Sequence, residues 1–128
     1  MLFSLQGHAK RVLCTEFSSN GFQLATAGDD GFIKVWDLRK RKQFASVPAH
    51  SKLVTQLRFE QQTHSHDGVS AGEYLVSSSF DGTAKVWSSR DWKMLATLRG
   101  HEGKVMGAGI LKDSVVTCGF DKTLKLWK

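Results

Sequence analysis

The chain repeats itself three times, and no other property narrows its folding options so far. Gly28-Asp29-Asp30-Gly31-Phe32-Ile33-Lys34-Val35-Trp36, Ser79-Phe80-Asp81-Gly82-Thr83-Ala84-Lys85-Val86-Trp87 and Gly119-Phe120-Asp121-Lys122-Thr123-Leu124-Lys125-Leu126-Trp127 align without a gap. In each, an aspartate precedes a tryptophan by six residues, and a hydroxyl residue (Thr26, Ser77, Thr117) precedes that aspartate by four. His8, His50 and His101 open the units, followed at fixed offsets by Val12, Val54 or Val105 and then by Phe17, Phe59 or Ile110. The three tryptophans are 51 and 40 residues apart. A period of that size belongs to propellers and solenoids, in which one unit cannot bury its own apolar surface and stacks on the next.

The local period is that of strands. Val12 to Phe17, Gln23 to Thr26, Phe32 to Trp36 and Gln43 to Val47 are short runs rich in β-branched and aromatic residues. Turn chemistry separates them: Ser18-Ser19-Asn20-Gly21, Asp30-Gly31 and, in the second unit, Asp81-Gly82. No stretch has a helical period, and the lone proline, Pro48, falls at a strand end, where no central ladder bond is lost. Four short antiparallel strands per unit are the expectation, which makes the chain all-β.

His, Ser/Thr, Asp and Trp at these offsets resemble the WD-repeat family of β-propellers over essentially the whole chain. Trp36-Asp37 is the signature pair itself; Trp87-Ser88, Trp127-Lys128 and Ala49-His50 depart from the family's pattern. The resemblance implies a partial propeller over 1–128, with repeats at about 7–48, 49–99 and 100–128 and residues 1–6 as the last strand of a preceding blade. Rings of this kind use about four to eight blades. The chain therefore resembles the C-terminal part of a larger, seven-bladed ring, its end after Trp127 reading as natural and its start at Met1 as truncated. The missing blades, or further copies of the chain such as two making six blades, are then partners in closure.

Elementary hydrogen-bond capacity explains the four residue types. An indole N–H only donates and a carboxylate only accepts, whereas a hydroxyl and a neutral imidazole do both. Between packed sheets such groups must satisfy one another. The expected structural sets are His8, Thr26, Asp30 and Trp36; His50, Ser77, Asp81 and Trp87; and His101, Thr117, Asp121 and Trp127. Hydroxyl, His and Asp also invite a hydrolase reading, but a nucleophile is defined by its role and surroundings rather than by a residue list. Threefold recurrence beside a tryptophan points to structure, and no catalytic residue and no cofactor are expected.

Composition bounds the partners. Eighteen Lys and Arg against twelve Asp and Glu leave a net charge of +6, which suits RNA or an acidic protein surface. No apolar run approaches the ~18–20 residues that span a bilayer, so no membrane partner is expected. Cys14 and Cys118 are too few for a disulfide framework and fall in expected strands, where buried and inert thiols are the rule. Arg39-Lys40-Arg41-Lys42 is the densest charge run, at a turn between the third and fourth strands, and is the candidate partner-binding segment. Glu60 to Glu73 is an insertion between the first two strands of the second unit; its His64-Ser65-His66-Asp67 reads as a solvated loop rather than a metal site. Meander geometry sends both features out of the same face. Lys10, Arg11, Lys52 and Lys104 flank the histidines on the opposite one.

Three stretches go beyond the generic repeat: Val47 to Glu60, Asp81 to Trp87 and Leu98 to Gly107. They resemble the C-terminal repeats of the pre-mRNA processing factor 4 family, WD-repeat subunits of the U4/U6 small nuclear ribonucleoprotein. That resemblance implies a non-catalytic nuclear scaffold in splicing. Its partners would be proteins of the U4/U6 particle and the tri-snRNP, among them a second processing factor and a cyclophilin, with U4/U6 RNA reached indirectly or through a basic face. The competing reading is a generic WD-repeat interaction scaffold, such as a substrate receptor of cullin–RING ubiquitin ligases, for which Trp36-Asp37-Leu38-Arg39 fits a short docking pattern.

Overall fold

The computed structural model describes residues 3–18, 21–60, 74–111 and 114–128, and all regular structure in them is β. The first sheet runs β1 (Val12–Phe17), β2 (Gln23–Gly28), β3 (Phe32–Asp37) and β4 (Lys42–Pro48). The second runs β5 (Val54–Phe59), β6 (Tyr74–Ser79), β7 (Thr83–Ser88) and β8 (Met94–Arg99). The third holds β9 (Val105–Leu111), β10 (Ser114–Gly119) and β11 (Leu124–Trp127). Each sheet is an antiparallel meander in chain order, and β1, β5 and β9 lie side by side where the sheets meet. This is the architecture of a partial propeller, two blades of four strands and one of three among the described residues.

The turns follow from the sequence. Gly31 and Gly82 take φ of +75° and +89° in the turns after β2 and β6, a region glycine enters without steric cost. The third unit has Lys122 at that place, and it still adopts φ +68°. Gly31 also meets the next blade: a Cβ there would run into the His50 carbonyl, and the Gly31 carbonyl accepts the N–H groups of Ala49 and His50 at 3.1 and 3.0 Å. The turn of one blade thus fixes where the next begins.

Bulges recur at equivalent positions. Leu13, Thr55 and Met106 are skipped in the pairing of the first two strands of their blades, and Phe44 and Leu95 in that of the last two. A bulge re-aims a side chain. At Thr55 the hydroxyl reaches the Val105 carbonyl of the third blade at 2.9 Å and meets Ser78 Oγ at 2.7 Å. Gln56 Oε1 accepts the Ala108 N–H at 2.9 Å across the same junction.

Burial sits between blades. Ala25, Ala27, Ile33 and Val35 of the first blade pack with Val54, Leu57, Phe59 and Leu75 of the second, while Val76 packs with Ala108 and Val115 of the third. The central strands β2 and β6 are buried along most of their length and are built from small residues, Ala25-Thr26-Ala27-Gly28 and Ser77-Ser78-Ser79. The outward faces of the first and third blades are apolar instead, with Leu13, Phe17, Phe44, Leu111, Leu124 and Leu126 exposed.

Two expectations are left aside. Residues 3–6, the described part of the segment expected as the last strand of a preceding blade, carry no ladder here, since the three described sheets include no preceding blade for them to pair with. Phe3 lies instead under the Arg41 guanidinium, 4.4 Å from the ring centre. The insertion at Glu60 to Glu73 falls outside the described residues apart from Glu60 itself, which is buried and whose N–H bonds the Tyr74 carbonyl at 2.9 Å. Trp92 carried no sequence signal; it is buried in the turn before β8, edge-on to Phe59 at 6.2 Å, with φ +59°.

Candidate functional site

Each blade places its histidine just before its first strand, its hydroxyl on the second, its aspartate in the turn after that and its tryptophan on the third. Pairing brings them together. In the second blade His50 Nε2 lies 2.7 Å from Ser77 Oγ, His50 Nδ1 lies 2.8 Å from Asp81 Oδ2, and Trp87 Nε1 donates to Ser77 Oγ at 2.9 Å. In the first, His8 spans Thr26 at 2.7 Å and Asp30 at 3.0 Å while Trp36 donates to Thr26 at 2.8 Å. In the third, His101 spans Thr117 at 2.7 Å and Asp121 at 2.9 Å while Trp127 donates to Thr117 at 2.9 Å.

The proton inventory allows one arrangement. The carboxylate only accepts, so Nδ1 carries the proton; Nε2 then accepts from the hydroxyl, whose oxygen accepts from the indole. Every member is used. A second proton at Nε2 would remove the acceptor of the hydroxyl's own proton. Burial accordingly pushes the His50 imidazole below its usual 6.5, although Asp81 pulls it back. Burial raises the Asp81 carboxyl, but hydrogen bonds from Thr83 and His50 outweigh it and the net shift is downward. Asp30 behaves alike, with burial opposed by His8 and the Phe32 N–H. Asp121 is held far below the carboxylate range, chiefly by the Thr123 hydroxyl, with His101 and the Glu102 N–H adding to it.

Thr83 and Thr123 escaped the sequence reading. Each donates its hydroxyl to the aspartate two residues earlier, at 2.6 and 2.7 Å, and its N–H bonds the same oxygen. The available signal was Asp-x-Thr in two repeats; the first has Phe32 there, and only the backbone bond to Asp30 remains.

Hydroxyl to Nε2 and Nδ1 to carboxylate is also the connectivity of a hydrolytic triad. Here the hydroxyl is sealed. Ser77 is 0% exposed, and its oxygen already accepts the Trp87 indole N–H, so no substrate carbonyl can reach it. Among the described residues no group of three or more His, Cys, Asp or Glu is arranged to hold a metal ion, and His64, His66 and Asp67 lie outside them.

The basic turn at 39–42 is exposed throughout but not uniformly available. Asp37 holds Arg39 at 3.3 Å and caps the turn by accepting the N–H groups of Arg39 and Lys40. The Arg39 hydrogen bond is the main reason that the Asp37 carboxyl lies below its usual range. The Arg39 guanidinium also stacks over Phe22 at 3.9 Å, so the docking pattern's arginine is committed within the chain. Arg41 covers Phe3, which leaves Lys40 and Lys42 as the cations of this turn free of such ring contacts. At the opposite face Arg11 pairs with Asp29 at 2.6 Å, whereas Lys104 lies over Phe80. Burial pushes the Cys14 thiol up to about 12, an inert state.

Comparison with known proteins assigns a family to this geometry. The profile described as WD domain, G-beta repeat matches residues 1–37, 41–88 and 92–128, each match ending where the third strand of a blade ends or one residue beyond. Protein tipD of Dictyostelium discoideum is 33% identical over 94% of the chain. The U3 snoRNP-associated protein-like EMB2271 of Arabidopsis thaliana is 30% identical over 94%, and Protein MAK11 of Saccharomyces cerevisiae 31% over 81%. The chain spans only 18, 24 and 26% of those three relatives.

Proposed function

This chain belongs to the WD-repeat family, and we propose on that premise that it is a non-catalytic scaffold of a nuclear ribonucleoprotein, the U4/U6 particle of the splicing machinery. The observation that carries the scaffold reading is the sealed tetrad. The only hydroxyl–His–Asp sets of the described residues are spent on joining strands, which leaves turns and loop surfaces to meet partners. Support for a ribonucleoprotein comes from the net charge of +6 and from a relative whose name places it with the U3 snoRNP. The splicing particle in particular rests on Val47 to Glu60, Asp81 to Trp87 and Leu98 to Gly107. The three repeats would serve as consecutive blades of one larger ring.

In this reading the Arg39 to Lys42 turn meets RNA phosphate or an acidic protein, with Lys40 and Lys42 as the available charges. Contacts of that kind release counterions and weaken steeply with salt. The test is affinity purification of the tagged chain from nuclear extract, with U4, U6 and U3 RNA quantified. Enrichment of U4 and U6 is expected, and replacing Lys40 and Lys42 by Glu lowers it without lowering the melting temperature. Enrichment of U3 alone moves the chain to another ribonucleoprotein. Recovery of a cullin adaptor without RNA replaces the reading by the ubiquitin-ligase one.

A further inference from the structure

Each junction between blades joins two recurring surfaces. The leading blade offers one side of its sheet: in the first blade Ala25, Ala27, Ile33 and Val35, with Ala45 and Val47 of β4 packed against them. The following blade offers the side that bears its tetrad, as Leu57, Phe59, Leu75 and Trp87 do in the second. By repeat position the third blade carries Val116, Cys118, Leu124 and Leu126 on its leading side. Ile33 and Val35 are 1% and 0% exposed, whereas Leu124 and Leu126 are 76% and 59% exposed. On the tetrad side Phe59 is 2% exposed and its counterpart Phe17 is 60% exposed. The chain thus displays both halves of one further junction, at its two opposite ends.

The backbone ladders are incomplete in the same complementary way. Two sheets have four strands and the third has three, with β11 at its edge, while residues 3–6 carry no ladder. Phe3, Ser4 and Leu5 stand as far before His8 as Ala45, Ser46 and Val47 stand before His50, and as Ala96, Thr97 and Leu98 stand before His101. In the first blade Ala45 pairs with Val35, Ser46 with Lys34 and Val47 with Ile33. In the second Ala96 pairs with Val86, Thr97 with Lys85 and Leu98 with Ala84. Transposed to the third blade, that register sets Phe3 on Leu126, Ser4 on Lys125 and Leu5 on Leu124. The residue types agree: a lysine meets a hydroxyl each time, and Lys34 Nζ donates to Ser46 Oγ at 3.2 Å.

One chain cannot satisfy these features by itself. Joining its first blade to its third would close a ring of three, and closed rings use about four to eight blades. We propose that a second copy of the chain supplies the junction, so that two chains of three blades close one six-bladed ring about a twofold axis. Each copy lays residues 3–6 along β11 of the other and seats the tetrad side of its first blade on the other's third blade. The contact is head-to-tail, and rotation by half a turn closes it. A second copy carries both halves of the junction in matching register. Val116, Cys118, Leu124 and Leu126 then meet Leu13, Phe17 and Leu24, so these facing side chains bring no unpaired charge into the junction. The added strand covers an open sheet edge, and Phe3 exchanges Arg41 for Leu126. This inference rests on the reading of the three repeats as consecutive blades of one larger ring and names what completes it. It is independent of which RNA the particle contains.

The test is sedimentation equilibrium of the purified chain over a micromolar concentration series, joined to cross-linking between two differently marked chains. The expected species has twice the chain mass and grows no further. Leu5→Glu and Leu126→Glu each raise its dissociation constant at least tenfold; should Leu5→Glu fail to fold, Leu126→Glu at its exposed site carries the test. In an equimolar mixture of a Phe3→Cys chain with a Leu126→Cys chain, mild oxidation is expected to join position 3 of one to position 126 of the other, as mass spectrometry of the digest reads. Ser4→Cys in place of Phe3→Cys turns the thiol to the opposite face of the strand and lowers that yield at least tenfold. A monomer throughout the series, a mass that keeps climbing with concentration, a dimer indifferent to Leu126→Glu, or equal cross-linking from positions 3 and 4 would overturn the proposal. RNA recovery in affinity purification reads the particle and sedimentation of the pure chain reads the ring, so the two failures are distinguishable.

Discussion

Ser77→Ala removes one oxygen from a site with 0% exposure, and its consequence follows from the two bonds that oxygen makes. Trp87 Nε1 loses its acceptor at 2.9 Å and His50 Nε2 loses its donor at 2.7 Å. Each orphaned buried group costs about 1–3 kcal/mol, so the variant should be destabilised by about 2–6 kcal/mol. A domain holds only about 5–15 kcal/mol in total. Even the lower figure corresponds to a fall in Tm of roughly 6 °C. Ser77→Thr is the matched control, because Thr26 and Thr117 fill this position in the other two tetrads; it keeps the hydroxyl and should stay within about 1 kcal/mol of the parent. In a Trp87→Phe background the alanine substitution should cost less, since the indole N–H is no longer there to be orphaned. Urea unfolding followed by far-UV circular dichroism is the assay, because tryptophan fluorescence is itself altered. If Ser77→Ala lies within about 0.5 kcal/mol of the parent, or if Ser77→Thr falls as far as Ser77→Ala, the tetrad does not stabilise the blade as argued.

Lys122→Gly should raise the urea midpoint by the equivalent of about 0.5–1 kcal/mol, since Lys122 stands at φ +68° where Gly31 and Gly82 stand in the other turns; an unchanged midpoint would show the turn to be unstrained. Stability should fall as the pH drops below about 6.5. His50 titrates lower in the fold than in the unfolded chain, so the unfolded state binds the proton first and gains on acidification. A further loss should follow below pH ~4, where Asp30 and Asp81 are held down in the fold; unfolding curves that superimpose between pH 7.5 and 5 would contradict the His50 argument. Cys14, with its thiol pushed up to about 12, should resist iodoacetamide at pH 8 in the folded chain and react once urea is added, as mass spectrometry would show.

The tetrads were legible in the sequence because their members stand at fixed separations and each has a restricted donor or acceptor role. Given strands of this length, His50, Ser77, Asp81 and Trp87 have one way of satisfying one another, and the observed distances follow it. The turns were legible for a similar local reason, the conformational freedom of Gly31 and Gly82. Whether residues 3–6 pair is silent in the sequence, because a strand exists only where a neighbouring backbone offers a ladder. Trp92 and the Thr55 bond to Val105 were equally silent, since the partners Phe59 and Val105 come from other elements at separations no motif encodes. The sequence by itself determined the repeat, its strands and the polar sets that tie each blade together, because those depend on local spacing and on hydrogen-bond capacity. Only the tertiary structure decided which cations are engaged by rings: Arg39 and Arg41 cover Phe22 and Phe3, and Lys104 lies over Phe80 and Phe120. A charge is written in the chain, but what lies within 4 or 5 Å of it is settled by how one blade packs on the next.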